Sequence, residues 1–296
     1  MQAVNIHTLT AKVSRVLTFS CVDGPGNRLV IFMQGCNYQC LNCHNPHTIN
    51  HCNHCGDCVA TCPSSALTLN THKQVEWNEE LCTQCDRCID VCPHQSNPKV
   101  RSYSLRHMLA LIEQHAPFLS GITVSGGEAT LQLRFISELF RAIKNGASLN
   151  HLTCFIDSNG SLSTNGWDRL LPVLDGAMID LKAWQQETHQ WLVGRDNHRV
   201  STTIDYLARH KKLHEVRLLH IPSKSDLLSE IDALAALINT LPTETQIRLN
   251  AFRHHGVVGE ATSWPQCSKL EIETFQKSLI ERTTRHILTP SDVAFR

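Results

Sequence analysis

The 296-residue sequence has no excess of charge of either sign: its 27 basic and 27 acidic residues cancel and are interspersed. That balance excludes the basic footprint that nucleic acid or an anionic membrane surface requires. No stretch approaches the roughly 18 uninterrupted apolar residues of a membrane-spanning helix. Met1 to Thr18 holds neither a basic leader nor a continuous apolar run, so the expected location is cytoplasmic. Bias toward disorder is missing too: 42% of residues are hydrophobic, enough for one large domain and a small one. What is in surplus is cysteine, fourteen in all. A reducing compartment argues against disulfides, so metal ligation is the first reading to test.

All but Cys21, Cys154 and Cys267 lie between positions 36 and 92, and those three read as structural. Cys36, Cys40 and Cys43 form a C-x3-C-x2-C loop after the apolar run Leu29 to Met33. Three thiolates on a four-iron cluster leave one iron open, where the amino and carboxylate groups of a substrate can chelate and take up an electron. A zinc site is the plainer alternative. Cys40-Leu41-Asn42-Cys43-His44 also spells a haem-attachment pattern, but that would demand export and leave Cys36 idle. The other eight cysteines form two copies of C-x2-C-x2-C-x3-C-P, thirty residues apart: Cys52, Cys55, Cys58, Cys62 before Pro63, and Cys82, Cys85, Cys88, Cys92 before Pro93. In the bacterial ferredoxin run the fourth cysteine of each copy ligates the other copy's cluster. The expected sets are therefore Cys52, Cys55, Cys58 with Cys92, and Cys82, Cys85, Cys88 with Cys62. Structural zinc rarely places four cysteines so densely and ends them on proline.

Residues 49–98 read as a small inserted module, surrounded by a larger domain of residues 1–48 and 99–296. Apolar residues at helical spacing recur at Leu105, Met108, Leu109, Ile112, at Phe135, Ile136, Leu139, Phe140, Ile143, and at Leu228, Ile231, Leu234. They alternate with six strand-like runs: Leu29 to Met33, Gly121 to Val124, Leu152 to Ile156, Ala177 to Ile179, Val216 to Ile221 and Ile247 to Ala251. Such alternation predicts an α/β fold with a parallel sheet, a partial (β/α)6 barrel of the TIM type. Barrel chemistry sits after the strand ends. There lie Cys36 to Cys43, Ser125-Gly126-Gly127-Glu128, Asp157-Ser158-Asn159-Gly160, Asp180-Leu181-Lys182, Pro222-Ser223 and Phe252-Arg253-His254-His255.

Those residues, with Ser20-Cys21-Val22-Asp23-Gly24-Pro25-Gly26-Asn27-Arg28 and Cys43-His44-Asn45-Pro46, resemble the glycyl-radical-enzyme activating enzymes of the radical SAM superfamily over nearly the whole chain. The two-cluster insert resembles the longer activators. Asn27 and Asn250-Ala251-Phe252-Arg253-His254-His255-Gly256 resemble the YjjW-type group. The resemblance implies S-adenosylmethionine as cofactor and three [4Fe-4S] clusters, one at Cys36, Cys40 and Cys43 and two in a bacterial-type 2[4Fe-4S] ferredoxin-like insert. It assigns cofactor contacts to Asn42, His44, Ser125, Gly126, Gly127, Glu128, Asp157, Ser158, Asp180, Lys182 and His254. It also implies a small monovalent cation near Asp157 and Asp180, with Ser158 and the Met178 carbonyl. The implied partners are a glycyl radical enzyme, of YjjI-like kind, and flavodoxin or ferredoxin as electron donor; nucleic acid and membrane are not expected. Asp23-Gly24-Pro25-Gly26 is a candidate for gripping the partner's glycine loop, or an ordinary turn. The chain departs from the family at Asn42, often aromatic, and at Ala251-Phe252-Arg253, often Pro-Tyr-His. Rival readings are a radical SAM enzyme acting on a small molecule or nucleotide, a plain electron carrier, and a non-catalytic cluster protein.

Overall fold

A computed structural model describes residues 9–291 and Phe295. Much of the Met1 to Thr18 stretch that lacks a leader pattern therefore lies outside the described residues.

The chain opens with two antiparallel strands, β1 (Thr10–Ser20) and β2 (Arg28–Met33). The cysteine-rich segment follows, with a separate hairpin of β3 (Leu67–Leu69) and β4 (Val75–Trp77) and one short helix, α1 (Arg87–Asp90). Alternation then sets in: β5 (Arg101–Ser104), α2 (Leu105–His115), β6 (Gly121–Gly126), α3 (Leu133–Asn145), β7 (Thr153–Ser158), α4 (Thr164–Leu170) and β8 (Gly176–Leu181). The helices α5 (Gln186–Val193) and α6 (His198–Arg209) precede β9 (Leu213–His220), then come α7 (Ile231–Thr240), β10 (Gln246–Ala251), α8 (Lys269–Ile280) and β11 (Ile287–Leu288). No helix of the described residues is long and apolar enough to cross a membrane.

The main sheet has the order β11-β10-β9-β8-β7-β6-β2-β1-β5. Pairing is parallel from β2 through β6, β7, β8, β9 and β10 to β11. The six runs expected from sequence correspond to β2, β6, β7, β8, β9 and β10, and the sheet stays open between β5 and β11, as a partial barrel does. β1 and β5 extend it in the antiparallel sense. The sequence pattern does not single them out, since Lys12, Ser14 and Arg15 interrupt β1 with polar positions.

The helices cover the sheet with buried faces. In α3, Phe135, Ile136, Leu139, Phe140 and Ile143 are all at or near zero exposure, the i, i+3, i+4, i+7 stripe of an amphipathic helix. They join Leu29, Ile31, Ile122, Val124 and Ile156 of the strands in one core. At roughly 25 cal/mol per Å² of apolar surface, this layer is the main source of stability.

One local constraint sets the register where β2 and β6 end. Gly126 pairs with Met33 and has φ +117°; a Cβ there would stand 2.2 Å from the Met33 nitrogen and 2.3 Å from its oxygen. A Cβ on Gly127 would stand 2.3 Å from the Gly35 oxygen. These glycines let the two strand ends lie backbone against backbone. Gly126→Ala should therefore cost about 3 kcal/mol through left-handed strain plus overpacking. Thermal unfolding followed by circular dichroism measures this, and an unchanged Tm would contradict the packing.

Candidate active site

The Cys36–Cys43 loop leaves β2 at its C-terminal end and is stitched to its surroundings by backbone bonds. Cys36 N donates to Ile49 O (3.0 Å), Gln39 N to Val193 O (2.9 Å) and Leu41 N to Leu192 O (2.9 Å). Tyr38 N points at Cys36 Sγ at 3.4 Å, and Asn159 Nδ2 reaches the same sulfur at 3.9 Å. The last turn of the loop is held from the C-terminal segment: His44 Nε2 lies 3.1 Å from Arg253 O, its ring stacks on Phe252, and a Cβ on Gly256 would stand 2.1 Å from His44 O.

Cys36, Cys40 and Cys43 face a cavity of about 530 Å³. Its walls bring together Asn42, His44, Ser125, Gly126, Gly127, Asp157, Ser158, Asp180 and Lys182. Asp23 also lines it, although that residue precedes β2 whereas the triad follows it. Asp23 reaches it because its turn folds back against the middle of β6, where Thr123 pairs with Val30 of β2. The Asp23 turn is held by Ser20 Oγ, which donates to Asp23 Oδ2 (2.5 Å), and by Thr123 Oγ1, which donates to Asp23 O (2.6 Å). Arg28 is fully buried beneath it, donating to Thr123 Oγ1, Thr153 Oγ1 and Pro25 O.

Two of the expected contact residues sit elsewhere. Glu128 is buried below the cavity wall, 1% exposed, and its carboxylate accepts from Thr130 N, Thr130 Oγ1, Ser158 Oγ and Asn159 N. Burial holds its pKa above the usual range despite these bonds. It ties the β6 loop to the β7 loop. His254 has Nε2 2.7 Å from Trp264 O and its ring edge-on to Phe252; it is not among the cavity-lining residues.

Arg217, not among the expected contacts, lines the cavity beside Asp157. Nη1 donates to Asp157 Oδ2 (2.9 Å) and Nε to Glu215 Oε1 (2.6 Å), while Arg248 Nε donates to Glu215 Oε2 (2.9 Å). Ser125 Oγ donates to the same Asp157 oxygen (3.0 Å), and Lys182 Nζ to Asp180 Oδ2 (2.8 Å). The signal for Arg217 was its place between Val216 and Leu218 on a strand, where the period of two turns it to the opposite face. Asn159 and Asn250, which the sequence motifs contain without assigning them a contact, also line the cavity, and Asn159 donates to Asn37 Oδ1 at 3.0 Å.

Electrostatics separate the two aspartates. Burial raises Asp157, and Asp180 adds to this against the pull of Arg217. Burial also opposes ionisation of Asp180, but Lys182 and Arg217 outweigh it and hold the group below the usual range. Lys182 stands above its usual range, because Asp180 and Cys40 overcome burial. Burial pushes the Cys36 thiol up to about 11 and Cys40 to about 12. A metal binding there must displace those protons.

The eight further cysteines show the same local geometry twice. His54 N and Gln84 N each point at the first cysteine of their motif, Cys52 Sγ and Cys82 Sγ, at 3.4 Å. Positive φ recurs thirty residues apart at His54 and Gln84, Gly56 and Asp86, and Ser65 and Gln95. Cys62 joins Cys82, Cys85 and Cys88 around one small cavity, with Trp77, Arg87 and Lys99. Among the described residues no three histidine, cysteine or acidic side chains gather as ligands of a single ion would. Cys62, Cys82, Cys85 and Cys88 ring a space instead, and backbone N–H groups are aimed at Cys52 and Cys82 sulfur, a donor set that fits an iron–sulfur cluster.

The sequence profile of the Radical SAM superfamily matches residues 30–227. The chain is 34% identical over 219 residues to the pyruvate formate-lyase 1-activating enzyme of Escherichia coli, covering 72% of this chain and 70% of that one. It is 29% identical over 252 residues to the pyruvate formate-lyase-activating enzyme of Listeria monocytogenes, covering 83% of each. It is also 27% identical over 250 residues to the isethionate sulfite-lyase activating enzyme of Oleidesulfovibrio alaskensis, covering 77% and 80%. The fold is similar to that of QueE from Escherichia coli (TM-score 0.53, 15% identity, 98% of this chain and 100% of that one). It is also similar to that of a radical SAM methyltransferase from Sphaerobacter thermophilus (TM-score 0.54, 14% identity, 90% and 68%). The chain belongs to the radical SAM superfamily and, within it, to the family of the pyruvate formate-lyase-activating enzymes. Membership implies S-adenosylmethionine and a [4Fe-4S] cluster.

Arg217→Met should cost about 3 kcal/mol near pH 7, because Asp157 and Glu215 lose a buried partner. Asp180, depressed in the fold, contributes stability that is present above the ordinary carboxylate range and lost as pH falls through its lowered pKa; raised Asp157 has the opposite sign. Protonation of Asp157, whose raised pKa brings it on above the ordinary carboxylate range, removes that partner of Arg217 in the parent as well, so the deficit should shrink as pH falls through that window. Chemical denaturation across pH measures it; a deficit that grows in acid would contradict the ion-pair reading.

Proposed function

We propose that this chain is a radical SAM activase that abstracts a hydrogen atom from a glycine of a partner enzyme under anaerobic conditions, leaving a glycyl radical. The observation that carries the proposal is the single cavity shared by three thiols and a charged wall of Asp157, Asp180, Lys182 and Arg217. When bound at Cys36, Cys40 and Cys43, a [4Fe-4S] cluster supplies the electron that cleaves S-adenosylmethionine to methionine and a 5'-deoxyadenosyl radical.

The chain's own residues bind, orient and exclude water. Lys182 and Arg217 offer positive charge to a carboxylate, Asp180 and Asp157 offer oxygen to an amine, to hydroxyls or to a small cation, and Asn42 presents a buried Oδ1 with no partner in the protein. The deep lumen shields a reactive centre from solvent. The turn at Asp23-Gly24-Pro25-Gly26, whose Asp23 lines the same cavity, is suited to receive the partner's glycine loop. Glycine is the favoured donor because its radical is stabilised by both flanking peptide groups. The partner of YjjI-like kind, and flavodoxin or ferredoxin as donor, belong to this reading.

Residues 49–98 form, in this proposal, a separate module with two further [4Fe-4S] clusters, on Cys52, Cys55, Cys58 with Cys92 and on Cys82, Cys85, Cys88 with Cys62. The cavity lined by the latter four supports it.

Anaerobically reconstituted protein should hold about twelve iron atoms per chain. Reduced with dithionite, it should release 5'-deoxyadenosine from S-adenosylmethionine and, with a glycyl radical enzyme, give a glycine-centred EPR doublet. Cys40→Ala should abolish both. Cleavage that depends on a metabolite, with no doublet, would favour a small-molecule enzyme instead.

A further inference from the structure

The cysteine-rich segment is spliced to the barrel at one place. Gly35 N donates to Thr48 O (2.8 Å) and Cys36 N to Ile49 O (3.0 Å). The side-chain amide of Gln34, 2% exposed, donates to His47 O (2.9 Å) and Asn50 O (2.6 Å). The ring of His51 lies over Gly35, whose Cβ, if present, would stand 3.1 Å from Nε2. From this point the chain reaches Cys52 in three residues beyond Ile49. Asn50 also forms a β-bridge with Ser96, and both Ser96 N and Ser96 Oγ lie 3.4 Å from Cys92 Sγ. Two cysteines of the inner set, one from each motif, are thus joined to the N–H of Cys36 by a short path of covalent and hydrogen bonds.

The other set is attached differently. Asp86, beside Cys85, pairs with Lys99, and Glu79 pairs with Arg101, whose guanidinium also lies over Trp77. Lys99 and Arg101 lead into and begin β5, which is separated from β2 by β1 in the sheet. Electron tunnelling weakens steeply with distance and is carried better by covalent and hydrogen bonds than across gaps.

We propose that the set Cys52, Cys55, Cys58 and Cys92 is the last electron donor to the Cys36 triad, coupled to it through the Ile49–Cys52 segment and Gln34, and that the set Cys62, Cys82, Cys85 and Cys88 is the outer, receiving one. This rests on the three-cluster reading above. One electron passes inward per cleavage event, and a low-potential one-electron protein donor replaces it at the outer set.

The test uses the full chain, reconstituted anaerobically with iron and sulfide and fully reduced with dithionite. The triad's EPR signal is the one altered by S-adenosylmethionine, and its spin relaxation is enhanced by the nearest paramagnet. Emptying the inner set by Cys52→Ser with Cys55→Ser should abolish most of that enhancement. Emptying the outer set by Cys82→Ser with Cys85→Ser should leave it largely intact. Equal or reversed effects overturn the order. Gln34→Leu, which retains every cysteine, gives the second measurement: freeze-quenched samples after addition of S-adenosylmethionine should show the insert signals decaying several-fold more slowly, and an unchanged rate overturns the coupling path. Absence of any signal responsive to S-adenosylmethionine in the parent would sink the proposed function itself, which keeps the two failures distinct.

Discussion

The backbone of Gly35 bonds in two directions, and the rest of the site depends on that junction. Its N–H goes to Thr48 O and its carbonyl accepts from Glu128 N at 2.8 Å, so the end of β2 is clamped at once to the segment after the triad and to the loop after β6. Backbone groups buried at such a junction need partners or cost about 1–3 kcal/mol each, and here the partners are other loops rather than a ladder. The absence of side chains at Gly35, Gly126 and Gly127 is what permits the approach. Glu128 then carries the clamp outward, because its carboxylate holds Ser158 and the N–H of Asn159, and Asn159 holds Asn37 inside the triad loop.

On that frame the barrel interior is charged rather than apolar. Asp157, Asp180 and Glu215 are matched by Lys182, Arg217 and Arg248. Buried ion pairs rarely add stability over well-packed apolar residues, so packing alone gives no reason for six charges there. Four of them, Asp157, Asp180, Lys182 and Arg217, line the cavity, and there a zwitterionic ligand carrying an amine, a carboxylate and hydroxyls finds a complement for each. Mutual pairing in the free protein keeps every charge partnered until such a ligand replaces one neighbour with another.

How much of this could be read from sequence follows the same physics. Leu29 to Met33 and Ala177 to Ile179 are legible because strands buried on both faces are continuous apolar runs, whereas Ile247 to Ala251 alternates Arg248 and Asn250 with apolar residues, the pattern of a strand with one polar face. The residues that follow them were legible because chemistry gathers at strand ends. β1 escaped, since its alternation of Lys12, Ser14 and Arg15 with Val13 and Val16 suits a strand whose pairing is known only once β2 and β5 are placed. Arg217 escaped because its charge sits within an apolar run. The sequence motif grouped Glu128 with cofactor contacts, whereas its side chain is spent on Thr130, Ser158 and Asn159, and His254 is turned to Trp264. Those outcomes turn on which loop meets which.

The thiols fall into two physical environments, and the contrast follows from their places in the chain. Cys36 and Cys40 are packed with Tyr38, Leu192 and Phe252, and burial there is what raises their pKa values. Cys55 and Cys85 are exposed, on a segment whose own apolar cluster is confined to a few residues around Val75, Leu67, Cys58 and Cys88. A centre that releases a radical must be shut away from water, while a centre that accepts electrons from another protein must lie close to the surface. In the proposed reading the first demand falls to the packed triad and the second to the set that includes exposed Cys85, while Cys36 stays hydrogen-bonded to Ile49.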